Sequence, residues 1–328
     1  MSQMRLNPLN GRWVTIVPDR AERPSDFASR DNGNDLPTLD RPCPFCPGNE
    51  EETPPAVETT EEDGNWSMRV IPNRYPAFDG DDAFTVHNLG PVHVKADASG
   101  IHEVFVYQPE HNGGLHLLDD EHAAELMFIL KRRLAEHAAL PFVRYTQVIV
   151  NHGREAGASV EHPHGQILGL PFVPSEVLDE ERAFARFAGG SLLETTVEAE
   201  LAADHRIVIA NDEVVVMCPF ASGVPYEMLI VPREQHAHLP DASDESLRAV
   251  GIALRDAIGH LNKALGDVAF NLGLHTAPHQ HGGDYHWHLH IWPRVTTQAG
   301  FERGTGVLIN IVAPEEAAAT LRFVGASV

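Results

Sequence analysis

The sequence contains the same order of predicted elements twice, and this repeat constrains the fold more than any other feature. A strand, a loop, a long helix, a strand, a second loop and a histidine-rich strand follow one another between 102 and 168 and again between 226 and 293. Helical spacing of apolar residues marks the two helices. The repeat predicts an α+β fold of two tandem units, each an antiparallel sheet with packed helices. We place the units at 1–175 and 176–328.

Several element boundaries can be predicted from local patterns. The two repeat helices are expected at 119–140 and 241–265, the second with Asp241 or Ser243 as its N-cap. Outside the repeat, strands are expected at 12–18, 67–71, 83–87 and 92–95. Residues 48–65 are rich in Glu, Thr and Pro without periodicity, which predicts a surface loop.

Composition and charge exclude some function classes. The 328 residues include 24 Lys and Arg against 47 Asp and Glu, a formal charge of −23. Such a surface disfavours nucleic acid as a partner, because phosphate backbones are bound through basic surfaces. No apolar run reaches the roughly 20 residues that span a bilayer, so no membrane partner is expected. The first residues do not resemble a signal peptide, and a cytoplasmic location is expected. An anionic substrate would require local positive charge in its pocket.

The segment HPHGQ carries the clearest chemical pattern. In a strand, successive side chains alternate between faces, so His162, His164 and Gln166 share one face. A neutral imidazole is a competent nucleophile toward phosphorus, and a neutral amide can donate to a phosphoryl oxygen without repelling it. A backbone carbonyl near His162 or Gly165 is expected to fix the tautomer of the nucleophile. Gly165 is interpreted as allowing close substrate approach.

The loop before this strand, NHGREAGAS at 151–159, offers glycines together with amide and hydroxyl groups. Such a loop can form a cradle for phosphate. Arg20 and Arg23 are candidates for a guanidinium clamp on phosphate, although most surface arginines have no such role.

The three cysteines do not form a disulfide framework. Cys43 and Cys46 have the CxxC spacing of zinc knuckles. A redox pair is the alternative, but no helix pattern follows Cys46. Two further zinc ligands are needed, and His111 and His162 are the best candidates. Cys218 lies in an apolar run and is predicted to be a buried, inert thiol.

The second unit is rich in histidine. A second metal site is one interpretation, with His275, His288, His290 and a carboxylate such as Glu180. The alternative is that these histidines serve packing and hydrogen bonding in a degenerate copy of the first unit.

These residues resemble the galactose-1-phosphate uridylyltransferase family, a branch of the histidine-triad superfamily. The similarity covers nearly the whole chain, including RLNPLNGRWVTIVPDRAERP, CPFCPG, PNRYPAF, HEVFVYQPEH, the run from Asn151 to Gln166, CPFASGVPYEMLIVP and GLHTAPH. HPHGQ after N-x-G…G-x-S is the most specific part. The resemblance implies two histidine-triad-like units and a homodimer.

The resemblance also implies residue roles. His164 would carry the nucleotidyl group and Gln166 would steady that intermediate. The family's zinc ligands correspond to Cys43, Cys46, His111 and His162, and its second metal site, iron or zinc, to Glu180, His275, His288 and His290. Substrate-binding positions correspond to Arg20, Arg23, Asn73, Asn151, Ser159 and Gln166.

The predicted function is uridylyl transfer between UDP-glucose and a hexose 1-phosphate, in galactose metabolism, with ping-pong kinetics through His164. One alternative is an adenylyl transferase or phosphorylase acting on ADP-glucose or a related nucleotide sugar. A histidine-triad nucleotide hydrolase and a zinc-stabilised binding protein are further alternatives, and only the last leaves HPHGQ without a role.

Overall fold

The structure, a computed structural model, describes residues 2–19 and 42–326. Its strands are β1 Gln3–Leu6, β2 Trp13–Ile16, β3 Glu58–Glu62, β4 Asn65–Pro72, β5 His87–Leu89, β6 His93–Lys95, β7 Ile101–Val106, β8 Tyr145–His152, β9 His164–Leu170, β10 Ile207–Ala210, β11 Val214–Met217, β12 Met228–Pro232, β13 Phe270–His275, β14 His288–Pro293 and β15 Leu308–Asn310. Its α-helices are α1 Asp120–Ala138, α2 Ser175–Arg186, α3 Leu192–Ala203, α4 Asp244–Leu265, α5 Gly300–Thr305 and α6 Pro314–Gly325.

A ten-stranded antiparallel sheet forms the centre of the molecule, in the order β3-β4-β7-β9-β8-β13-β14-β12-β11-β10. The order β7-β9-β8 in the first half is mirrored by β13-β14-β12 in the second, so each half places its strands in the same relative positions. The halves meet where β8 pairs with β13, from His152 opposite Phe270 to Val148 opposite Leu274.

The predicted repeat is visible in this sheet. The order β7, α1, β8, β9 in the first half corresponds to β12, α4, β13, β14 in the second. The predicted α+β class with antiparallel sheets and packed helices is confirmed. The two sheets are, in addition, joined into one by main-chain hydrogen bonds. The division at 175/176 stays a prediction.

Helices α1 and α4 cover one face of the sheet and form the main core with it. Their apolar stripes bury Met127 and Leu134 on α1 and Val250 and Leu254 on α4, which removes the helix faces from water. Ser243 caps α4 by accepting a hydrogen bond from the backbone N–H of Ser246 at 3.2 Å. Of the two predicted N-caps, Ser243 is therefore the one used.

The opposite face of the sheet is the one that carries the candidate site. Ile167 of β9 lies in the core beneath the helices and is fully buried. Because side chains alternate along a strand, His164 and Gln166 lie on the other face. Helix α2 and the small sheet β1-β2-β15 belong to the remainder of the structure. None of the helices in the described ranges is both long and apolar enough to cross a bilayer.

Two boundary predictions are wrong. The segment 48–65 is not a simple loop, because β3 pairs with β4 within it. As an edge strand, β3 has mostly exposed Glu and Thr side chains, so it shows no buried periodicity, and charges there protect the edge. The strand expected at 83–87 begins only at His87 and pairs with β6 in an exposed hairpin.

Candidate active site and metal clusters

His164 is the first residue of β9, and its tautomer is set by the backbone. Its Nδ1 donates to the carbonyl oxygen of His162 at 2.8 Å, which leaves the lone pair of Nε2 free. Burial lowers the pKa of His164, although the hydrogen bond to His162 opposes this effect. The ring is therefore neutral at pH 7, the state that a nucleophile requires. The predicted carbonyl orientation of this ring is confirmed, with His162 as the acceptor.

Gln166 lies two residues further along β9, on the same face as His164. Its Oε1 is 2.7 Å from Nε2 of His102 on the neighbouring strand β7. Asn73, at the end of β4, lies against the same histidine, with its Nδ2 3.1 Å from that nitrogen. The structure thus brings Asn73 and Gln166 together through His102, a residue that no sequence motif indicated.

The role given to Gly165 in the sequence analysis is wrong. Its α-carbon faces the core, away from the face of His164, so it does not open the backbone to a substrate. A Cβ at this position would lie 2.1 Å from Cζ of Phe105 and 2.7 Å from the carbonyl oxygen of Ile149. The glycine is required by the close packing of β9 on Phe105.

Asn151 is the next-to-last residue of β8, and the loop that follows this strand leads through Ser159 to β9. Asn151 and His164 both line a cavity of about 400 Å³. Gly153 and Gly157, with φ of +79° and +91°, flank a single 3-10 turn that folds the loop back. Ser159 lies at the end of this loop and is exposed.

The cavity contains little positive charge. Among the described residues that line it there is no Lys or Arg, and its polar groups include His116, His152, Asn262 and Asp267. Arg20 and Arg23, the predicted phosphate clamp, lie outside the described residues. Within the described part, neutral donors are therefore the groups available to a phosphate.

Cys43, Cys46, His111 and His162 form a compact cluster. One potential ligand atom from each lies within 4.8 Å of all the others. The Sγ of Cys46 is 3.4 Å from Nδ1 of His111 and 3.5 Å from Nδ1 of His162. The structure therefore brings together all four residues that were predicted as zinc ligands.

The protonation chemistry of this cluster fits a cation. His162 Nε2 donates to the carbonyl oxygen of Gln108 at 2.9 Å, so its Nδ1 lone pair points to Cys46, an orientation common among metal-bound histidines. Burial lowers the pKa of His162 to about 4, which keeps it neutral. Burial and the charge of Cys43 raise the pKa of Cys46 to about 11, so thiolates here need a positive partner. Two thiolates and two imidazoles are a typical zinc donor set.

A second cluster lies in the other half of the sheet. It joins Glu180 of α2 to His275, His288 and His290 of β13 and β14. Glu180 Oε1 is 2.9 Å from Nδ1 of His275, and the Nε2 atoms of His288 and His290 are 3.1 Å apart. Burial would raise the pKa of Glu180, but the neighbouring His275 and His288 hold it well below its usual range.

The two halves orient their histidines in the same way. His286 Nε2 lies 2.9 Å from the carbonyl oxygen of Pro232. In the first half, Nε2 of His162 makes the equivalent contact with the carbonyl oxygen of Gln108. His288 Nδ1 lies 2.8 Å from the carbonyl oxygen of His286. In the first half, Nδ1 of His164 makes the equivalent contact with the carbonyl oxygen of His162. His288 is therefore the positional counterpart of His164.

The family model described as "Galactose-1-phosphate uridyl transferase, N-terminal domain" matches residues 1–174. This chain belongs to the galactose-1-phosphate uridyl transferase family. A second model, "Domain of unknown function (DUF4921)", matches residues 107–322. The resemblance inferred from the sequence is confirmed.

Individual relatives match along almost the full length. The chain is 31% identical to ADP-glucose phosphorylase of Arabidopsis thaliana over 98% of this chain and 93% of that protein. It is 30% identical to a probable galactose-1-phosphate uridylyltransferase of Drosophila melanogaster, over 98% and 94%. The crystal structure of an Arabidopsis thaliana ADP-glucose phosphorylase with bound ADP-glucose superposes with a TM-score of 0.82, at 29% identity, covering 98% of this chain and 99% of the other.

Proposed function

We propose that the protein is a UDP-glucose–hexose-1-phosphate uridylyltransferase that carries the uridylyl group on His164. The observation that carries this proposal is the state of that imidazole. Its Nδ1 is bound to a backbone carbonyl, its pKa is lowered by burial, and it lines a cavity large enough for a substrate. Family membership supports the reaction class.

The proposed reaction has two similar steps. Nε2 of His164 attacks the α-phosphorus of UDP-glucose, a phosphorus–nitrogen bond forms, and the bond to glucose 1-phosphate breaks. A phosphate oxygen of galactose 1-phosphate then attacks the same phosphorus and releases His164, giving UDP-galactose. Both steps exchange bonds of similar energy, so the protein mainly positions the reactants and stabilises charge.

The other predicted substrate contacts stay predictions. Gln166 would donate its amide to the phosphoryl group on His164, and Asn151 and Ser159 would line the phosphate path. Arg20 and Arg23 would add positive charge, and Asn73 would contact the nucleotide.

Zinc is the proposed metal of the Cys43, Cys46, His111 and His162 cluster, where it would tie the CxxC loop to the segment that precedes β9. A metal in the Glu180, His275, His288 and His290 cluster, iron or zinc, would join α2 to the sheet. Both are structural roles in this proposal, because the nucleophile reaches its substrate with its own nitrogen.

A second candidate function is phosphorolysis of ADP-glucose. The similarity to ADP-glucose phosphorylase in both sequence and fold favours it. Inorganic phosphate would then replace the hexose 1-phosphate as acceptor, and His164 would carry an adenylyl group.

Trapping the covalent intermediate tests the proposal and separates the candidates. The enzyme is incubated with UDP-glucose or ADP-glucose alone, quenched at alkaline pH and measured by intact-protein mass spectrometry. A uridylyl adduct on His164 supports the first function, and an adenylyl adduct supports the second. His164→Gly should form neither, whereas His87→Gly, in the exposed hairpin, should form the wild-type adduct.

Release of free nucleoside monophosphate without any acceptor dependence would indicate a hydrolase and contradict the proposal. The homodimer implied by the resemblance and the division at 175/176 are part of the same proposal. Light scattering should then give twice the 36.0 kDa chain mass.

A further inference from the structure

The imidazole of His102 lies between a backbone amide and the side chain of Gln166. The backbone N–H of Ala77 donates to Nδ1 of His102 at 3.0 Å. Nε2, on the other side of the ring, is 2.7 Å from Oε1 of Gln166. His102 stands opposite Leu168 in the register of β7 and β9, so it is the diagonal neighbour of Gln166 on the same face.

These contacts determine where the proton of His102 resides. A backbone N–H can only donate, so Nδ1 must accept and cannot carry the proton. An imidazole that accepted at both nitrogens would be an anion, so Nε2 carries the hydrogen. Asn73 cannot receive it, because the atom that faces the ring is Nδ2, which only donates. The N–H of Tyr75 donates to Oδ1 of Asn73 at 2.9 Å and holds the amide in this orientation. Gln166 Oε1 is left as the acceptor.

We infer that His102 is a positioning residue that selects one of the two orientations of the Gln166 amide. With Oε1 held by His102, the NH₂ group of Gln166 points away from β7 and is available to a phosphoryl oxygen on His164. The inference rests on the proposed function for its consequence, but the orientation itself follows from the contacts.

The orientation matters because the two ends of an amide act in opposite ways. The NH₂ end donates to an anionic oxygen, whereas the carbonyl end would repel it. A free glutamine side chain can adopt either orientation. His102 removes the unproductive one before the substrate binds, which is the preorganisation that makes a donor effective in a transition state.

Two substitutions at position 102 separate the hydrogen bond from Ala77 from the hydrogen bond to Gln166. In His102→Asn, Oδ1 takes the place of ring Nδ1 and keeps the hydrogen bond from Ala77, but nothing reaches Gln166. In His102→Gln, Nε2 takes the place of ring Nε2 and can still donate to Gln166. Adduct formation and discharge, measured in single turnovers, should slow about 10- to 100-fold in His102→Asn and less than about threefold in His102→Gln.

Gln166→Ala provides the test of mechanism. If His102 acts through Gln166, then adding His102→Asn to Gln166→Ala should cost less than about a further twofold, because the coupled effects are not additive. Equal rates for the Asn and Gln variants, or an undiminished effect of His102→Asn in the Gln166→Ala background, would overturn the inference. Thermal midpoints and metal content confirm that each variant is folded.

A readout independent of activity separates this inference from the proposed function. In protein labelled with ¹⁵N-histidine, the two ring nitrogens of His102 should show the Nε2–H tautomer, assigned by the loss of its signals in His102→Gln. An Nδ1–H tautomer would overturn the inference even in an active enzyme. An Nε2–H tautomer in a protein that forms no adduct would instead overturn the proposed function and leave the positioning of Gln166 standing.

Discussion

Gly165→Ala tests whether β9 needs a glycine at this position in order to pack against Phe105 and β8. Cβ of the new alanine would lie 2.1 and 2.5 Å from Cζ and Cε1 of Phe105 and 2.7 Å from the carbonyl oxygen of Ile149. Carbon atoms in contact normally lie about 3.5–4.0 Å apart, so the Phe105 ring would have to move by about 1.5 Å. Phe105 is only 2% exposed, and the Ile149 oxygen belongs to the paired strand β8. We therefore expect a loss of about 2–3 kcal/mol in unfolding free energy, toward the upper end of overpacking effects.

A matched control is available in the same strand. Gly169 faces the same side as Gly165, but a Cβ there would approach no atom more closely than 3.1 Å, the distance to Nδ1 of His137. Both substitutions reduce the entropy of the unfolded chain equally, by about 0.4–1 kcal/mol. The difference between Gly165→Ala and Gly169→Ala in urea unfolding midpoints therefore isolates the contact with Phe105 and Ile149.

A smaller side chain at position 105 should remove the clash between the new Cβ and the Phe105 ring. Phe105→Leu removes Cζ and Cε1 and should cost about 1 kcal/mol alone. The double variant with Gly165→Ala should lose less than the sum of the two single changes, by about 1 kcal/mol. If Gly165→Ala is as stable as Gly169→Ala and only its KM for donor sugar rises, the packing argument is refuted and substrate access explains the glycine.

Three further changes test other parts of the structure. Asn271→Ala removes the donor that holds Oδ1 of Asn151 at 2.8 Å, and we expect kcat/KM to fall about tenfold; an unchanged value would exclude a positioning role. Burial raises the pKa of Glu227 from its ordinary 4.5 to about 7, so the folded state binds more protons and stability falls as pH rises from about 5 to 8. Glu227→Gln should remove about 3 kcal/mol of this pH-dependent change in unfolding free energy; the same pH dependence in the variant and the wild type would contradict it. Cys46→Ala should lose one equivalent of metal per chain by elemental analysis, whereas Cys218→Ala, which changes a fully buried thiol, should lose none.

The regular elements of the repeat could be predicted because their periodicity reflects burial. Helix α4 begins at Asp244, within a few residues of the expected start, and ends at the expected Leu265. The edge strand β3 could not be predicted in this way, because main-chain hydrogen bonds to β4 hold it without a buried side-chain pattern.

The site could be predicted where its members lie close together in the chain or match the family. His164 and Gln166 are in one segment, and the residues of the two candidate metal clusters are those that the family resemblance implied. His102 and Asn271 were missed because their roles depend on strand register, and a slip of one residue would turn each to the other face. The core-facing position of Gly165 is encoded in the sequence, because the alternation that puts His164 and Gln166 on one face puts residue 165 on the other.

The equivalence of His164 and His288 bears on how a doubled unit can specialise. Each ring is tied to the carbonyl two residues before it, so the backbone does not distinguish them. The difference arises from the neighbours, an amide at 166 against an imidazole at 290, and from Glu180 on the helix that closes over the second ring. The same backbone geometry therefore places one imidazole at the wall of a cavity and the other in a fully buried network with Glu180.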